Sequence, residues 1–466
     1  MANTRTESDS IGPVEVPADR LWGAQTERCL MNFPIGNEKM PVPFIRALGM
    51  QKHAAAAANK ALGLLDARLA DAIMQAAAEV HEGKLDDEFP LPVWQTGSGT
   101  QSNMNANEVI ANRAAEMLGG SRGDKAMVHP NDHVNMGQSS NDTVPTAMLI
   151  SAALMAERTL KPAFESMVVS LDRFAATYGH IIKLGRTHMQ DATPITLGQV
   201  FSAYRSQLGA VLEALNTVMP SLVLLPQGGT AVGTGINCHE DFPTAFCEAL
   251  SEISGFTFKP APNKFAGISA HDELVALSGV LNGAAAALYK IANDIRMMGC
   301  GPRGGFAELI LPKNEPGSSI MAGKVNPTQV EALTMVCAQV MGNHTTVTIA
   351  GSQGQFELNA YKPVIIYNVL QSLALLSDSV TSFTERCLDG LKPDEERIDA
   401  LLAGSLMLAT SLVPHIGYDK TAEIANKASK DKSTLKAAAL ALGYVTEEEF
   451  ERWTDPAEMI GPDRRD

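Results

Sequence analysis

Residues 272–298 read DELVALSGVLNGAAAALYKIANDIRMM. Within them Leu274, Leu277, Leu281, Ala284, Leu288, Ile291, Ile295 and Met298 follow one another at alternating steps of three and four. That spacing keeps one apolar seam along a helix, the pattern of a helix in a bundle or coiled coil. Further long helices are expected over about 143–177, beyond Thr193-Pro194, over about 327–350 and over about 363–388. At 1.5 Å per residue each would run about 35–50 Å. Helices of that length cannot all bury their apolar faces within one slim monomer. The expected fold is therefore mainly α, a long central helical bundle that continues into other subunits.

Outside this bundle the chain changes character. Residues 1–45 carry Gly12, Pro13, Pro17, Pro34, Gly36, Pro41 and Pro43 and read as an irregular arm with short strands or turns at most. Residues 51–62, QKHAAAAANKAL, have high helix propensity, and Asp66 to Glu82 reads as a helix closing near Gly83. After Leu391-Lys392-Pro393 come shorter, more charged helices. We divide the chain into an N-terminal domain (1–138), a central long-helix domain (139–392) and a small C-terminal helical domain (393–466).

The 466 residues carry a formal net charge of −15 with no run of Lys or Arg, which argues against a nucleic-acid or acidic-membrane partner. A small anion is still compatible, because local cations and helix ends outweigh a distant, screened field. Six cysteines are scattered without a CxxC pair and read as reduced thiols. The first ten residues, MANTRTESDS, lack an apolar segment, and no uninterrupted run of 18 apolar residues occurs. The expectation is a cytoplasmic protein without a membrane span.

Five polar stretches interrupt the helices. Gly317–Gln329 reads GSSIMAGKVNPTQ: two hydroxyls after a glycine, a cation at Lys324, then Asn326-Pro327, a favoured helix start with Gln329 placed to reach back. Alone it reads equally as a glycine-rich turn or as an anion site at a helix N-terminus. Trp94–Asn107, WQTGSGTQSNMNAN, reads as a partly buried polar loop feeding a helix from Glu108. His129–Asp142, HPNDHVNMGQSSND, pairs a turn with a helix cap at Ser139–Asp142; its two histidines lack the glutamate of a zinc-protease pattern. Gly185–Gly198, GRTHMQDATPITLG, sets His188 among polar residues ahead of an expected helix start at Thr193-Pro194. Gly228–Asn237, GGTAVGTGIN, is glycine-dense, but no strand is expected before it, which argues against a dinucleotide site.

These stretches together resemble the fumarase/aspartase superfamily, and within it the class II (iron-independent) fumarases. GSSIMAGKVNPTQ is similar to the superfamily's GSSxMxxKxN, and the other four follow in the family's order and spacing, from LWGAQT at Leu21 to HIGYDKTAEIA at His415–Ala425. TQSNMN, QSSND and GRTHMQDATP are the fumarase-like forms, whereas aspartate ammonia-lyases tend to carry TSTNMN and QSTND. The resemblance implies a homotetramer with a twenty-helix core and active sites built from loops of three chains. It implies reversible hydration of fumarate to L-malate, a small dicarboxylate, without metal or organic cofactor. Alternatives are an ammonia-lyase acting on aspartate or another substituted succinate, and a catalytically silent structural relative.

By the same resemblance Ser318 is the base, His188 activates water or protonates the departing hydroxyl, and Glu331 pairs with His188. Lys324, Asn326, Ser319, Ser98, Thr100, Ser139, Ser140, Asn141 and Thr187 bind the two carboxylates. His129, Asn131 and Asp132 match an accessory anion site of some members, but Ala126 stands where an arginine often completes it. Two departures flank the site loops: Ala322 where the family usually has proline, and Gly137 where serine is common. Ala266-Gly267 also departs from the usual text, without a physical reason in the sequence.

Overall fold

The computed structural model describes residues 3–461. A hairpin, β1 (Thr4–Ser8) and β2 (Pro13–Pro17), opens the chain, followed by α1 (Ala24–Asn32), α2 (Val42–Ala61), α3 (Ala67–His81), α4 (Thr100–Met117) and α5 (Ser140–Met155). A π-helical turn, Ala156–Leu160, joins α5 to α6 (Lys161–Tyr178), so the single long helix expected there carries one wide turn. A second hairpin, β3 (Ile182–Thr187) and β4 (Gln190–Thr196), precedes α7 (Leu197–Leu222). Then come α8 (Phe242–Ser254), α9 (Lys264–Ser269), α10 (Asp272–Met298), α11 (Thr328–Gly351) and α12 (Lys362–Arg386). The class is mainly α, as the periodicities imply. Helix α10 spans the quoted seam, and all eight seam residues are buried.

The chain forms two compact units, each assembled from three stretches. The first runs to Pro162 and adds Val211–Ala285 and Val336–Asp378; the second takes Ala163–Ala210, Ala286–Met335 and the chain from Ser379. Every passage between them falls inside a helix: α6, α7, α10, α11 or α12. In the first unit α2 packs against α3, α5 and α8. Its alanines Ala54, Ala55, Ala56 and Ala58 are buried, and small side chains let neighbouring helices approach closely. In the second unit the residues beyond Ser405 have a core of their own, with Leu412, Ile424, Leu435 and Phe450 buried together.

Three expectations change. The N-terminal arm contains α1, whose first turn is capped from a distance. The buried Glu108 carboxylate accepts from Gly23 N (2.9 Å), Gln25 N (2.8 Å), and Thr26 N and Oγ1 (3.2 and 2.7 Å). No local pattern encodes that cap. The polar run after Gly99 is helix rather than loop, because its buried amides find partners across the fold: Asn105 Nδ2 donates to Glu88 O at 3.0 Å. Thr193-Pro194 lies within β4, and α7 starts instead at Thr196 and Gln199, which exchange side-chain and backbone hydrogen bonds of 3.1 Å each.

Helix α10 and the stretch 362–390 are long and apolar enough to cross a membrane by length and composition. The expectation of no such helix, drawn from uninterrupted apolar runs, is thus too strict: isolated polar residues punctuate both without making them polar. Their seam residues are buried, while Tyr289 on α10 and Met335 and Ile349 on α11 stand exposed, at 41%, 68% and 60%.

Candidate active site

The expected site residues fall in two sets, one in each compact unit. In the first unit, Gly99 N-caps α4, and the Ser98 and Thr100 hydroxyls lie 2.8 Å apart. This loop is clamped from below: Lys362 N donates to Gly97 O at 2.9 Å, and a Cβ on Gly97 would sit 1.5 Å from the carbonyl oxygen of Ala360. Only glycine fits there.

Ser139 caps α5 with a full capping box: its Oγ accepts from Asn141 N at 3.2 Å, and Asp142 Oδ1 accepts from Ser139 N at 2.9 Å. The other Asp142 oxygen accepts from Gly228 N and Thr230 N, each at 2.9 Å, and Asn141 Nδ2 donates to Ala231 O at 2.8 Å. The glycine-dense stretch is therefore wrapped around the start of α5. A two-residue strand, Leu224–Leu225, does precede it, paired with Lys259–Pro260, although none was expected. Burial pushes the Asp142 carboxyl up to about 6 against the pull of those N–H donors. The hydroxyls of Ser139 and Ser140 turn lone pairs inward. Ser139 Oγ accepts from Asn141 N, and Ser140 Oγ accepts from Asn103 Nδ2 at 3.0 Å. Their protons are left to donate outward, and outward donors at a helix N-terminus suit a carboxylate.

In the second unit, His188 and Met189 form the two-residue turn of the β3–β4 hairpin, between the paired Thr187 and Gln190. Both have positive φ, 54° and 60°, the signature of a hairpin turn whose twist matches its strands. His188 thus stands exposed at a strand-built tip rather than ahead of a helix. The hairpin base is pinned by Glu308, which is fully buried. It accepts from Arg186 Nη1 at 2.9 Å and pairs with Lys183 Nζ at 3.3 Å. Sequence reasoning missed these three; the only cue was a pair of cations flanking a strand ahead of the histidine.

Ser318 sits in a loop pinched at its neck, where Gly317 N donates to Lys324 O at 3.0 Å and Asn326 Nδ2 to Gly317 O at 2.6 Å. Ser318 Oγ accepts from Ile320 N (3.3 Å) and Met321 N (3.0 Å). Asn326 therefore closes the loop, and Gln329 does not reach back to it: its Oε1 accepts from Ser382 Oγ at 2.9 Å. Ser319, Lys324, His188 and Glu331 are all exposed, and among the described residues His188 and Glu331 share no ion pair within the chain.

The His129–Asp132 turn is a π-helical one. His129 Nδ1 accepts from Asn131 N and Asp132 N, both at 3.1 Å, and His133 Nδ1 accepts from His129 N at 2.9 Å. Both histidines thus act as backbone caps, and Asn131 and Asp132 are exposed.

A helical scaffold whose loops present hydroxyls, amides and one lysine defines a class, and comparison with known proteins agrees with it. A family described as Lyase matches residues 12–342, and one described as the fumarase C C-terminus matches residues 408–461. A fumarate hydratase class II of Methylorubrum extorquens is 58% identical over 98% of this chain and 97% of its own. A mitochondrial fumarate hydratase of Dictyostelium discoideum is 57% identical over 99% and 96%. The crystal structure of a class II fumarase from Schistosoma mansoni superposes with a TM-score of 0.96, at 44% identity, over 99% of this chain and 100% of that one. The chain belongs to the class II fumarate hydratase family.

Proposed function

We propose that this chain reversibly hydrates fumarate to L-malate, a step of the tricarboxylic acid cycle, by anti addition of water through an aci-carboxylate carbanion. The observation that carries the reading is the environment of Ser318. Its oxygen receives two backbone N–H donors inside a pinched, glycine-hinged loop. A serine is a weak base in water, and donors aimed at its oxygen lower the cost of the alkoxide.

In the dehydration direction Ser318 takes the proton beside one carboxylate. The electron pair moves into that carboxylate, whose charge Lys324 and Asn326 hold. The hydroxyl leaves from the opposite face with a proton from His188, which Glu331 orients and stabilises as imidazolium. The outward hydroxyl donors of Ser139 and Ser140, with Ser98, Thr100, Asn141, Thr187 and Ser319, bind the carboxylates. Hydration runs the same steps in reverse. The reaction as written uses no metal or organic cofactor. His129, Asn131 and Asp132 form at most an entry point for anions, since Ala126 supplies no cation.

We read the assembly as a homotetramer whose sites are completed by neighbouring copies. The exposed apolar residues Met335 and Ile349 on α11, and the exposed His188, Lys324 and Glu331, support this. Six free thiols support a cytoplasmic, reducing location. The test is a substrate panel on the purified protein with chelator present. Consumption of fumarate and of L-malate, each yielding the other, is expected; release of ammonia from aspartate without malate turnover would overturn the reading.

A further inference from the structure

Helix α2 is an alanine-rich core helix, yet at its centre it carries a lysine, Lys52, with no exposed surface. Burying an ammonium is costly, and burial lowers its pKa to about 7, opposed only by the nearby Asp142. Such a group persists in a core when its hydrogen bonds matter. Lys52 Nζ donates to Asn135 Oδ1 at 3.1 Å and to Gln138 Oε1 at 2.9 Å. Among the described residues no carboxylate pairs with it directly.

An ammonium is a donor with no acceptor capacity, and the neutral amine still has an N–H for each of these two partners, so in either form it dictates which way the neighbouring amides face. Both amides turn their oxygens to Lys52. Asn135 Nδ2 then donates to Gln138 O, and Gln138 Nε2 donates to Val134 O and Met136 O, all at 3.1 Å. The orientation propagates onto α4. Asn103 Nδ2 and Asn107 Nδ2 both donate to Asn135 Oδ1, at 3.2 and 3.1 Å, although this leaves their own buried oxygens without a protein partner. With its nitrogen so placed, Asn103 also donates to Ser140 Oγ at 3.0 Å. Ser140 is thereby fixed as an acceptor towards the protein and a donor towards solvent.

We propose that Lys52 is a positioning residue for the dicarboxylate: by fixing the amide orientations of Asn135 and Asn103 it holds the Ser140 hydroxyl proton pointing into the anion site. The proposal rests on the fumarate/malate reading only for the identity of the ligand. Lys52 touches no substrate, so its removal acts on binding more than on the chemical step.

The test is a double-mutant cycle of Lys52→Met and Asn103→Leu. Folding should survive Lys52→Met, because methionine is apolar and of similar length, and it relieves the core of a fully buried ammonium. We expect Lys52→Met to raise the KM for fumarate and the dissociation constant of succinate about tenfold, with kcat within about threefold, the scale of one misplaced hydrogen bond. Adding Lys52→Met to Asn103→Leu should change either constant by less than about twofold, since both act through one chain of contacts. Constants unchanged by Lys52→Met while its melting temperature falls would overturn the proposal, as would effects of the two substitutions that multiply fully. Should Lys52→Met fail to fold, Lys52→Gln replaces it, and should Asn103→Leu fail to fold, Asn103→Ala replaces it, with the same expected and contrary outcomes on a smaller scale. Succinate binding, followed calorimetrically, is independent of turnover. Absence of fumarate turnover by the unsubstituted protein would therefore count against the proposed function and not against this role of Lys52.

Discussion

At the scale of single residues, the proposed chemistry rests on side chains whose surroundings change what they can do. Ser318 is an ordinary serine until two N–H groups face its oxygen. Replacing it by alanine should lower kcat by about 10³-fold while leaving KM within a few-fold, read by steady-state kinetics. His188 occupies a positive-φ position that asparagine also tolerates, so His188→Asn should keep the hairpin and the melting temperature while lowering kcat about 10²-fold. Lys52 makes a separate prediction about stability. Its pKa is about 7 in the fold against 10.5 unperturbed, so between those values the unfolded chain holds a proton that the folded chain lacks. Stability from this group therefore rises with pH across that window. Urea denaturation should show the unsubstituted protein gaining on Lys52→Met as pH is raised from neutrality. None of these environments was legible in the sequence: Ser318 and His188 stood out by type and neighbours, but Lys52 looked like one polar residue on an alanine helix.

At the scale of elements, local signals were read correctly where the controlling contacts were local. The Ser139 cap, the Asp66 start of α3 and the α10 seam are each written within a few residues, and each formed as expected. They failed where the partner was distant. Helix α1 depends on Glu108, and the Asn-rich start of α4 depends on amide partners from three other segments. Thr193-Pro194 looked like a cap because proline suits both a first helical turn and an edge strand of a two-stranded hairpin.

The Ser318 loop carries the most specific element-level prediction. Ala322 lies between the exposed Met321 and Gly323, and its N–H has no partner among the described backbone hydrogen bonds. Ala322→Pro should restrict the open loop by about 0.4–1 kcal/mol and raise kcat/KM about two- to fivefold. Gly97→Ala should do the reverse at the other loop. Forcing the chain away from Ala360 should cost about 1–3 kcal/mol in urea denaturation and raise KM. Gly137 stands in the left-handed region at φ 69°, where glycine is at ease and the family's more common serine would be strained.

At the scale of the whole molecule, the long helices announced themselves by periodicity and by length, and the bundle followed from the need to cover their faces. What composition could not reveal is that the expected site residues are split between two compact units of one chain, with no ion pair between His188 and Glu331 among the described residues. The proposed tetramer, with sites completed by other copies, would account for this. Mixing His188→Asn with Ser318→Ala, each strongly impaired alone, and allowing subunits to exchange should raise the activity above that of either variant, because some sites then receive both intact residues. Activity that never returns in proven mixed tetramers would place both residues in a site of one chain.

The most direct measurement is the reaction itself, run with chelator in deuterium oxide and followed by proton NMR. The account predicts that fumarate is converted to L-malate carrying one deuterium beside the unsubstituted carboxylate, in the single diastereomer of anti addition. Ser318→Ala should slow that conversion about 10³-fold. No malate, or malate labelled in both diastereomers by the enzyme, would contradict it.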